Sequence, residues 1–340
     1  MSRTVSNRRT TINDVARAAE VSIKTVSRVL NEEPHVRPAT REKVLAAAES
    51  LNYRPNPSAR RLASNLNFVV GLVYDNPMGD YIANIQSGSL CACRDHHYNL
   101  LIHPCQWDAP EMFEDVLALN RQVDGLILLQ PVSDLEALCD QLIEAEIPTV
   151  RVSQRPYEGM PWISVDDSQA TSAMTDALIE LGHRRIGFIK GHPDHGSSHD
   201  RLAGYRASLE RHKIEVDESI VVQGYYHLQS GYEQACALLD RSDRPTAIFA
   251  SNDEMAMGVL TAAHERGIRI PDELSVTGFD DSSLASHAWP PLTTIRQPTA
   301  ELARLATETL MHMLQGKLEG DGNQRLSAKL IHRRTTGQPT

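Results

Sequence analysis

At 340 residues and 37.7 kDa, with 41% hydrophobic and 23% charged residues, the chain is long enough for two or three domains and has an ordinary globular composition. A single small module, a collagen-like chain and a disordered chain are therefore excluded. The net charge of -10 is unevenly spread: residues 1–66 carry twelve Lys or Arg against six Asp or Glu, whereas residues 67–340 carry 22 against 38. A basic first part on an acidic remainder indicates that the first part meets a polyanion.

The basic part predicts three short helices. The segment Thr11–Asp14 has the spacing of a capping box, which starts the first helix. Ser22 can cap a second helix that buries Val26 and Val29, and a third helix begins near Pro38. Three such helices can close a small core.

The first two helices are typical of a helix-turn-helix, because a tight turn at residues 19–21 joins them. In that motif the second helix enters the major groove of DNA. Lys24 and Arg28 project side by side from this helix, and Ile23 can contact a thymine methyl group. Taken alone, the two charges are more often a solvated helix face, so their assignment to DNA depends on the surrounding sequence.

Residues 56–63 predict a hinge helix, with Asn56 as a candidate N-cap and Pro57 in the first turn. About eight residues is well below the ~12–15 at which isolated helices become marginal in water. We therefore expect this helix to form only when something packs on it.

From residue 67 onward, predicted strands alternate with amphipathic helices, which indicates parallel sheets with helices on both faces. About ten strands are too many for one compact sheet, so we expect two similar lobes with a cleft between them. The predicted strands cover residues 68–75, 98–103, 124–130, 147–153, 162–165, 185–190, 219–223, 246–250, 275–279 and 292–296. The helices predicted between them include 111–120, 134–146, 168–181, 200–212 and 254–266.

Polar residues that follow strands are candidates for ligand contacts, because ligands of doubly wound sheets bind beyond the carboxyl ends of the strands. A mixture of Asp, Asn and Arg with an aromatic side chain suits a sugar. Each candidate has a structural alternative. Asn252 can cap the helix that begins near Glu254, and Asp280 can hold a turn.

The histidine-rich segment 191–201 is predicted as a loop at the edge of the cleft that shapes specificity. His192, His195 and His199 lie close to Asp194, but their spacing fits no recurrent zinc pattern. We predict no metal site and no cofactor, and a contact of these histidines with ligand stays open.

Residues 11–31, 35–36, 40–44 and 51–56 closely resemble the DNA-binding head of the lactose-repressor/galactose-repressor (LacI/GalR) family. The resemblance continues through the acidic part at residues 182–187, 201–205, 252–253, 278–281 and 291–295. It implies an α/β chain with an all-α helix-turn-helix head, a hinge helix and a two-lobed body like that of periplasmic binding proteins, with doubly wound parallel sheets.

The resemblance also implies site residues. Ile23, Lys24 and Arg28 would read bases, and Leu62 would wedge into the minor groove. The further DNA contacts are Thr11, Thr25, Ser27, Asn31, His35, Asn56, Ala59 and Arg60. The effector-binding residues are Asn76, Tyr81, Ser197, Arg201, Tyr226, Asn252, Asp280 and Gln297.

We therefore predict a sequence-specific transcriptional repressor that binds a near-palindromic operator as a homodimer and whose operator affinity is controlled by a sugar between the lobes. The polar N-terminus has no signal peptide, and no apolar run is long enough for a membrane span, so we expect a cytoplasmic protein. The predicted domains are 1–55 for the head, 56–66 for the hinge and 67–340 for the effector-binding and dimerisation body. Within the body, lobe 1 takes about 67–165 plus 296–325, and lobe 2 takes 166–295 plus 326–340.

Two other classes share the α/β architecture. A sugar-processing enzyme is disfavoured because the sequence lacks the G-x-S-x-G, G-x-G-x-x-G, P-loop and H-E-x-x-H motifs. A solute-binding protein for transport is disfavoured by the basic helical head. The effector's identity and the operator sequence are not fixed by these patterns.

Overall fold

The computed structural model describes residues 10–30, 36–53, 66–75 and 78–340. The chain divides into two compact units, Met1–Asn67 and Phe68–Thr340. Among the described residues, no helix combines the length and apolar character that crossing a membrane requires.

The first unit contains the three predicted helices: α1 (Ile12–Ala18), α2 (Ile23–Leu30) and α3 (Pro38–Ser50). The capping box is present, because the Thr11 backbone N–H and hydroxyl both donate to Asp14 Oδ2, at 2.9 and 2.7 Å. The turn between α1 and α2 places Glu20 at φ 51°, the left-handed region. One apolar face of each helix closes the core, formed by Val15, Ala16, Ala19, Val26, Val29, Val44, Ala47 and Ala48.

The second unit is built from parallel sheets and covering helices. Its strands are β1 (Val69–Tyr74), β2 (Asn99–Pro104), β3 (Gly125–Leu128), β4 (Thr149–Val152), β5 (Trp162–Val165), β6 (Ile186–Lys190), β7 (Val221–Gln223), β8 (Ala247–Ala250), β9 (Ser275–Thr277), β10 (Thr294–Arg296), β11 (Gln324–Leu326) and β12 (Lys329–Ile331). Its helices are α4 (Gly79–Asp95), α5 (Met112–Ala118), α6 (Glu136–Glu144), α7 (Asp167–Glu180), α8 (Gly196–Arg211), α9 (Leu228–Leu239), α10 (Asp253–Glu265), α11 (Ser283–His287) and α12 (Thr299–Leu314).

Two all-parallel sheets define two lobes. In the described part of the chain, the first lobe has the strand order β11-β5-β4-β3-β1-β2, and the second has β7-β6-β8-β9. The strands β10 and β12 pair antiparallel to each other. Strand centres such as Leu72 and Phe249 are fully buried, as expected for parallel strands covered on both faces.

The chain crosses between the lobes after β5, after β10 and again between β11 and β12. Helix α7 follows β5 and packs on α8 in the second lobe, whereas α12 follows β10 and packs on α4 in the first. A cleft between the lobes is therefore bordered by the carboxyl ends of strands from both sheets.

The fold class predicted from the sequence is confirmed, and each predicted strand overlaps an observed one. Two predictions about this unit were incomplete or wrong. Strands β11 and β12 were not predicted. Helix α8 begins at Gly196, so the predicted loop 191–201 ends four residues after Gly191, and both Ser197 and Arg201 lie on the helix.

Candidate functional sites

Helix α2 presents a mixed polar and apolar face outward from the first unit. Val26 and Val29 are buried, whereas Lys24 and Arg28 are exposed and Ile23 is 49% exposed. This separation of faces leaves the three predicted base-reading side chains on the side of α2 away from the core.

The start of α2 is fixed by local hydrogen bonds. The Thr25 backbone N–H donates to Ser22 Oγ at 3.1 Å, and the two hydroxyls of these residues lie 2.8 Å apart. Lys43 on α3 pairs with Glu20 in the turn, with 2.7 Å between Nζ and Oε2. The turn before the candidate DNA-reading helix is thus tied to the third helix.

The other predicted DNA contacts fall into two groups. Thr11 directs its hydroxyl to the capping box, and Ser27 is half-buried on α2. The remaining predictions lie outside the described residues: Asn31, His35, Asn56, Ala59, Arg60 and Leu62.

A pocket between the lobes brings together side chains that are far apart in sequence. Five of the predicted effector-binding residues line it: Tyr81, Ser197, Arg201, Tyr226 and Gln297. Its volume is about 40 Å³, which is room for a few water molecules. Asn76, also predicted, lies outside the described residues.

Arg201 is the buried cation of this pocket, with 5% of its surface exposed. It donates through Nη1 to the Ser251 carbonyl at 2.5 Å and through Nη2 to Asp167 Oδ1 at 3.4 Å. Its guanidinium carbon lies 3.6 Å from the centre of the Phe279 ring, a cation–π arrangement. These contacts fix the guanidinium plane in the floor of the second lobe.

Asp167 is a lining residue that the sequence prediction missed. Burial raises the pKa of its carboxyl to about 6, although the nearby positive charge of Arg201 lowers this pKa. Gln154 of the first lobe donates to Asp167 Oδ2 at 2.9 Å. The rule used for the other candidates could have found Asp167, since it lies two residues after the end of β5.

Tyr226 forms a wall of the pocket. Its backbone has φ 66°, and its hydroxyl lies 3.2 Å from Ser197 Oγ. A Cβ at Gly191 would lie 2.0 Å from Tyr226 Cζ, so only glycine leaves room for this ring. Burial also raises the pKa of the Tyr226 phenol, which keeps it a neutral hydrogen-bonding group.

Asn252 has the structural role that the sequence left open. Its amide oxygen accepts from the Met255 backbone N–H at 3.0 Å and so caps α10. Its amide nitrogen donates to the Tyr226 carbonyl at 2.8 Å and contacts Met78 Sδ at 3.1 Å. Asn252 does not line the described pocket, and a contact with effector stays a prediction.

Asp280 lies behind the pocket and accepts from Gln297 Nε2 at 2.7 Å. Its φ of 113° and the β-bridge to Arg296 show that it also shapes the turn after β9. Burial raises the pKa of Asp280 to about 6. Asp280 borders a neighbouring cavity of about 230 Å³ that it shares with Tyr81.

Two buried polar atoms in the lining have no hydrogen-bond partner among the described residues. One is Ser164 Oγ on β5 of the first lobe, and the other is Arg201 Nε on α8 of the second. A buried polar atom without a partner costs about 1–3 kcal/mol. The residues that carry these two atoms line the pocket, one from each lobe.

The three histidines of the 191–201 segment have separate surroundings. His195 is buried against the Tyr226 ring and lines the pocket, and burial lowers its pKa to about 4. His199 pairs with the Pro193 carbonyl at 2.7 Å, while His192 accepts from the Asp194 backbone N–H at 3.3 Å. No group of three His, Cys, Asp or Glu side chains in the described ranges is arranged to hold a metal ion.

Known proteins match both units. The family of bacterial regulatory proteins of the lacI type matches residues 11–56, and a periplasmic binding protein-like domain matches residues 175–336. The ribose operon repressor of Haemophilus influenzae is 35% identical over 319 residues, covering 91% of this chain and 93% of that protein. This chain belongs to the lacI family of bacterial regulatory proteins. The predicted family is confirmed, and with it the general function of a DNA-binding transcriptional regulator.

Other lacI-family proteins match over nearly the whole chain. Catabolite control protein A of Priestia megaterium is 33% identical over 329 residues, covering 96% of this chain and 99% of that one. The lac repressor dimer bound to operator and the anti-inducer ONPF has a TM-score of 0.76 and 30% identity, covering 97% and 100%. The complex of the regulator CelR with cellobiose has a TM-score of 0.74 and 31% identity, covering 96% and 100%.

Proposed function

We propose that this lacI-family regulator is a repressor that binds a near-palindromic operator as a homodimer and that a neutral sugar bound between the lobes changes its operator affinity. The relatives support the first part, because three of them are named as repressors and the lac repressor structure is a dimer on operator. DNA as its partner implies that the protein acts in the cytoplasm.

The outward face of α2 supports the DNA-binding step. Lys24 and Arg28 supply hydrogen-bond donors for guanine edges or phosphates, and Ile23 supplies an apolar contact for a thymine methyl group. A single α2 helix contacts only a few base pairs. A dimer contacts twice as many, since its two recognition helices read two half-sites. The proposal also includes DNA contacts by the hinge residues, with Leu62 inserted into the minor groove. This part rests on the family resemblance alone.

The effector class rests on the two unpartnered atoms of the residues Ser164 and Arg201, which line the pocket. A hydroxyl group both donates and accepts, so it can accept from Arg201 Nε and pair with Ser164 Oγ on the opposite lobe. The charge of Arg201 is already matched by Asp167, and Asp280 adds a second carboxylate nearby. An anionic effector such as a sugar phosphate would therefore meet net repulsion at neutral pH, whereas a neutral polyol would not.

Binding must enlarge the inner pocket. A pocket of about 40 Å³ is too small for a sugar ring, so the lobes separate or their side chains turn when the effector enters. An effector that prefers one lobe spacing shifts the equilibrium toward it. We propose that this shift reaches DNA through the hinge segment 56–66.

The operator part of the proposal is tested by selecting genomic fragments and titrating them by fluorescence anisotropy at several salt concentrations. If the dimer neutralises about ten phosphates, the logarithm of the association constant falls with log salt at a slope of about -9. Lys24→Ala should weaken operator binding, whereas the control Lys317→Ala removes an exposed lysine of the second unit and should have little effect. A protein that shows no preference among fragments contradicts the proposal.

The effector part is tested by adding neutral sugars to the operator complex. At least one sugar should change operator affinity. Arg201→Met should abolish this response but should still bind the operator when no sugar is present. We also propose that the sugar is bound and not converted, so nuclear magnetic resonance after prolonged incubation should find it unchanged.

A further inference from the structure

A second and larger cavity adjoins the effector pocket. Its volume is about 350 Å³, several times that of the inner pocket. The two share the walls formed by Met78, His195 and Tyr226. The outer cavity, hereafter the aromatic chamber, adds Asp75, Trp107, His192, Tyr225 and His227.

The aromatic chamber concentrates a residue class that is scarce elsewhere. Phe, Trp and Tyr make up 5% of the chain, yet Trp107, Tyr225 and Tyr226 border this one cavity together with three imidazoles. Tyr225 is 43% exposed, so its ring is held at the surface without being buried in a core. Exposed aromatic side chains grouped around a cavity are characteristic of ligand binding.

Most neighbouring rings of the aromatic chamber are inclined to each other, and one pair is nearly parallel. His192 and Tyr225 meet at 72° with centroids 5.6 Å apart, and His195 meets Tyr226 at 54° over 5.5 Å. Tyr225 and His227 are nearly parallel, at 15°, with centroids 6.3 Å apart. A flat base binds best between two parallel faces, whereas the mainly inclined walls of this chamber suit a puckered sugar ring.

The charge and polarity of the aromatic chamber also match a neutral sugar. Aromatic faces pack against the C–H face of a sugar ring, while imidazole nitrogens and the Asp75 carboxylate can pair with hydroxyls on its rim. No lysine or arginine stands among the described residues of the chamber wall. A phosphorylated ring would meet Asp75 without a compensating cation.

We propose that the effector has two linked neutral sugar rings, the first in the inner pocket and the second in the aromatic chamber against Trp107 and Tyr225. This inference rests on the proposed function and specifies the class of its effector. The linkage between the two rings would pass the side chains that line both cavities, which are Met78, His195 and Tyr226.

The test compares disaccharides with their own component rings. Cellobiose, maltose, lactose and sucrose are titrated by calorimetry into the full chain beside glucose, galactose, fructose and adenosine. At least one disaccharide should bind about tenfold or more tightly than either of its component rings, because only the disaccharide occupies both cavities at once. Equal affinity for a monosaccharide, or tightest binding of adenosine, overturns the inference.

Variants of the chamber separate its role from that of the inner pocket. Trp107→Ala and Tyr225→Ala should weaken the best disaccharide at least about fivefold while leaving affinity for its inner ring within about twofold. Because Tyr225 is exposed, Tyr225→Ala should fold even if Trp107→Ala does not, and the test then rests on the Tyr225 variant. Trp289→Ala is the matched control, because Trp289 is 86% exposed and does not line either cavity.

Fluorescence gives an independent readout. The chain has three tryptophans, so replacing Trp162 and Trp289 by Phe leaves Trp107 as the sole reporter. Its emission should shift with the disaccharide and not with the monosaccharide. If monosaccharides bind and the chamber variants change nothing, the inference fails while the sugar effector stands; if no sugar binds or alters operator affinity, the proposed effector class itself fails.

Discussion

Replacing Asn252 by Ala distinguishes a structural residue from an effector contact. The side chain caps α10 through Met255 N–H at 3.0 Å and holds the Tyr226 carbonyl at 2.8 Å. Asn252 is fully buried, so water cannot replace either partner without a rearrangement. We therefore expect the substitution to act mainly on folding stability.

The expected cost follows from the two hydrogen bonds. Loss of an N-cap costs about 1 kcal/mol of helix stability. A buried carbonyl left without a donor costs about 1–3 kcal/mol more. The free energy of unfolding of the ligand-free protein should therefore fall by about 2–4 kcal/mol.

Urea unfolding followed by circular dichroism measures this loss. Asp166→Ala is the matched control, because the Asp166 side chain caps α7 through Gln169 N–H at 2.9 Å and holds no second backbone group among the described residues. The control should lose only about 1 kcal/mol. If Asn252→Ala unfolds within about 0.5 kcal/mol of the wild type and fails to respond to effector, Asn252 is a direct ligand contact and its structural role here is refuted.

Three further outcomes follow from single residues. Burial raises the pKa of Asp253 from 3.8 to about 8, so its contribution to stability is full below about pH 4 and is lost as pH rises to 8; urea titrations should show a steeper loss from pH 5 to 8 in the wild type than in Asp253→Asn, and equal slopes would contradict this. Gly191→Ala should abolish effector binding in calorimetry, since its Cβ would lie 2.0 Å from Tyr226 Cζ, whereas Gly79→Ala meets nothing within 4 Å and should bind normally. Leu62→Ala should lose much of its operator affinity and keep salt-sensitive binding to random DNA, and an unchanged operator titration would refute the wedge.

The elements that the sequence predicts well are those with local causes. In the first unit, the Thr11–Asp14 capping box and the buried spacing of Val26 and Val29 act within a few residues, and the structure has them as predicted. The buried strands of the body are also local apolar runs, such as Gly125–Leu128. These patterns need no knowledge of the partner segment.

What the sequence predicts poorly depends on close approach between distant segments. The start of α8 reads as a loop because Gly196 and its serine neighbours usually disfavour helices. In the structure a Cβ at Gly196 would lie 2.9 Å from Asp134 Oδ2 of the first lobe, so the glycine is explained by packing between lobes. The pairing of Asp167 with Arg201, 34 positions later, likewise depends on distant segments, because α7 and α8 pack on each other within the second lobe.

The short strands β11 and β12 show a further limit. Each has three residues, and their side chains are exposed or half-buried, so neither an apolar run nor a clear alternation marks them. Their pairing with β5 and β10 is set by the return of the chain between the lobes. Only the tertiary path defines such strands.

The hydrogen bonds already present in the pocket determine which contacts contribute most to effector affinity. An effector that breaks the Ser197–Tyr226 or Gln297–Asp280 hydrogen bond exchanges one bond for another, and such an exchange is worth little. Ser164 Oγ and Arg201 Nε have no partner to give up among the described residues, so a hydroxyl that meets either recovers the full desolvation cost of about 1–3 kcal/mol. Because one atom belongs to each lobe, a hydroxyl that meets both contributes binding energy only at one lobe spacing. The same contact that provides affinity therefore provides the preference between lobe spacings on which regulation depends.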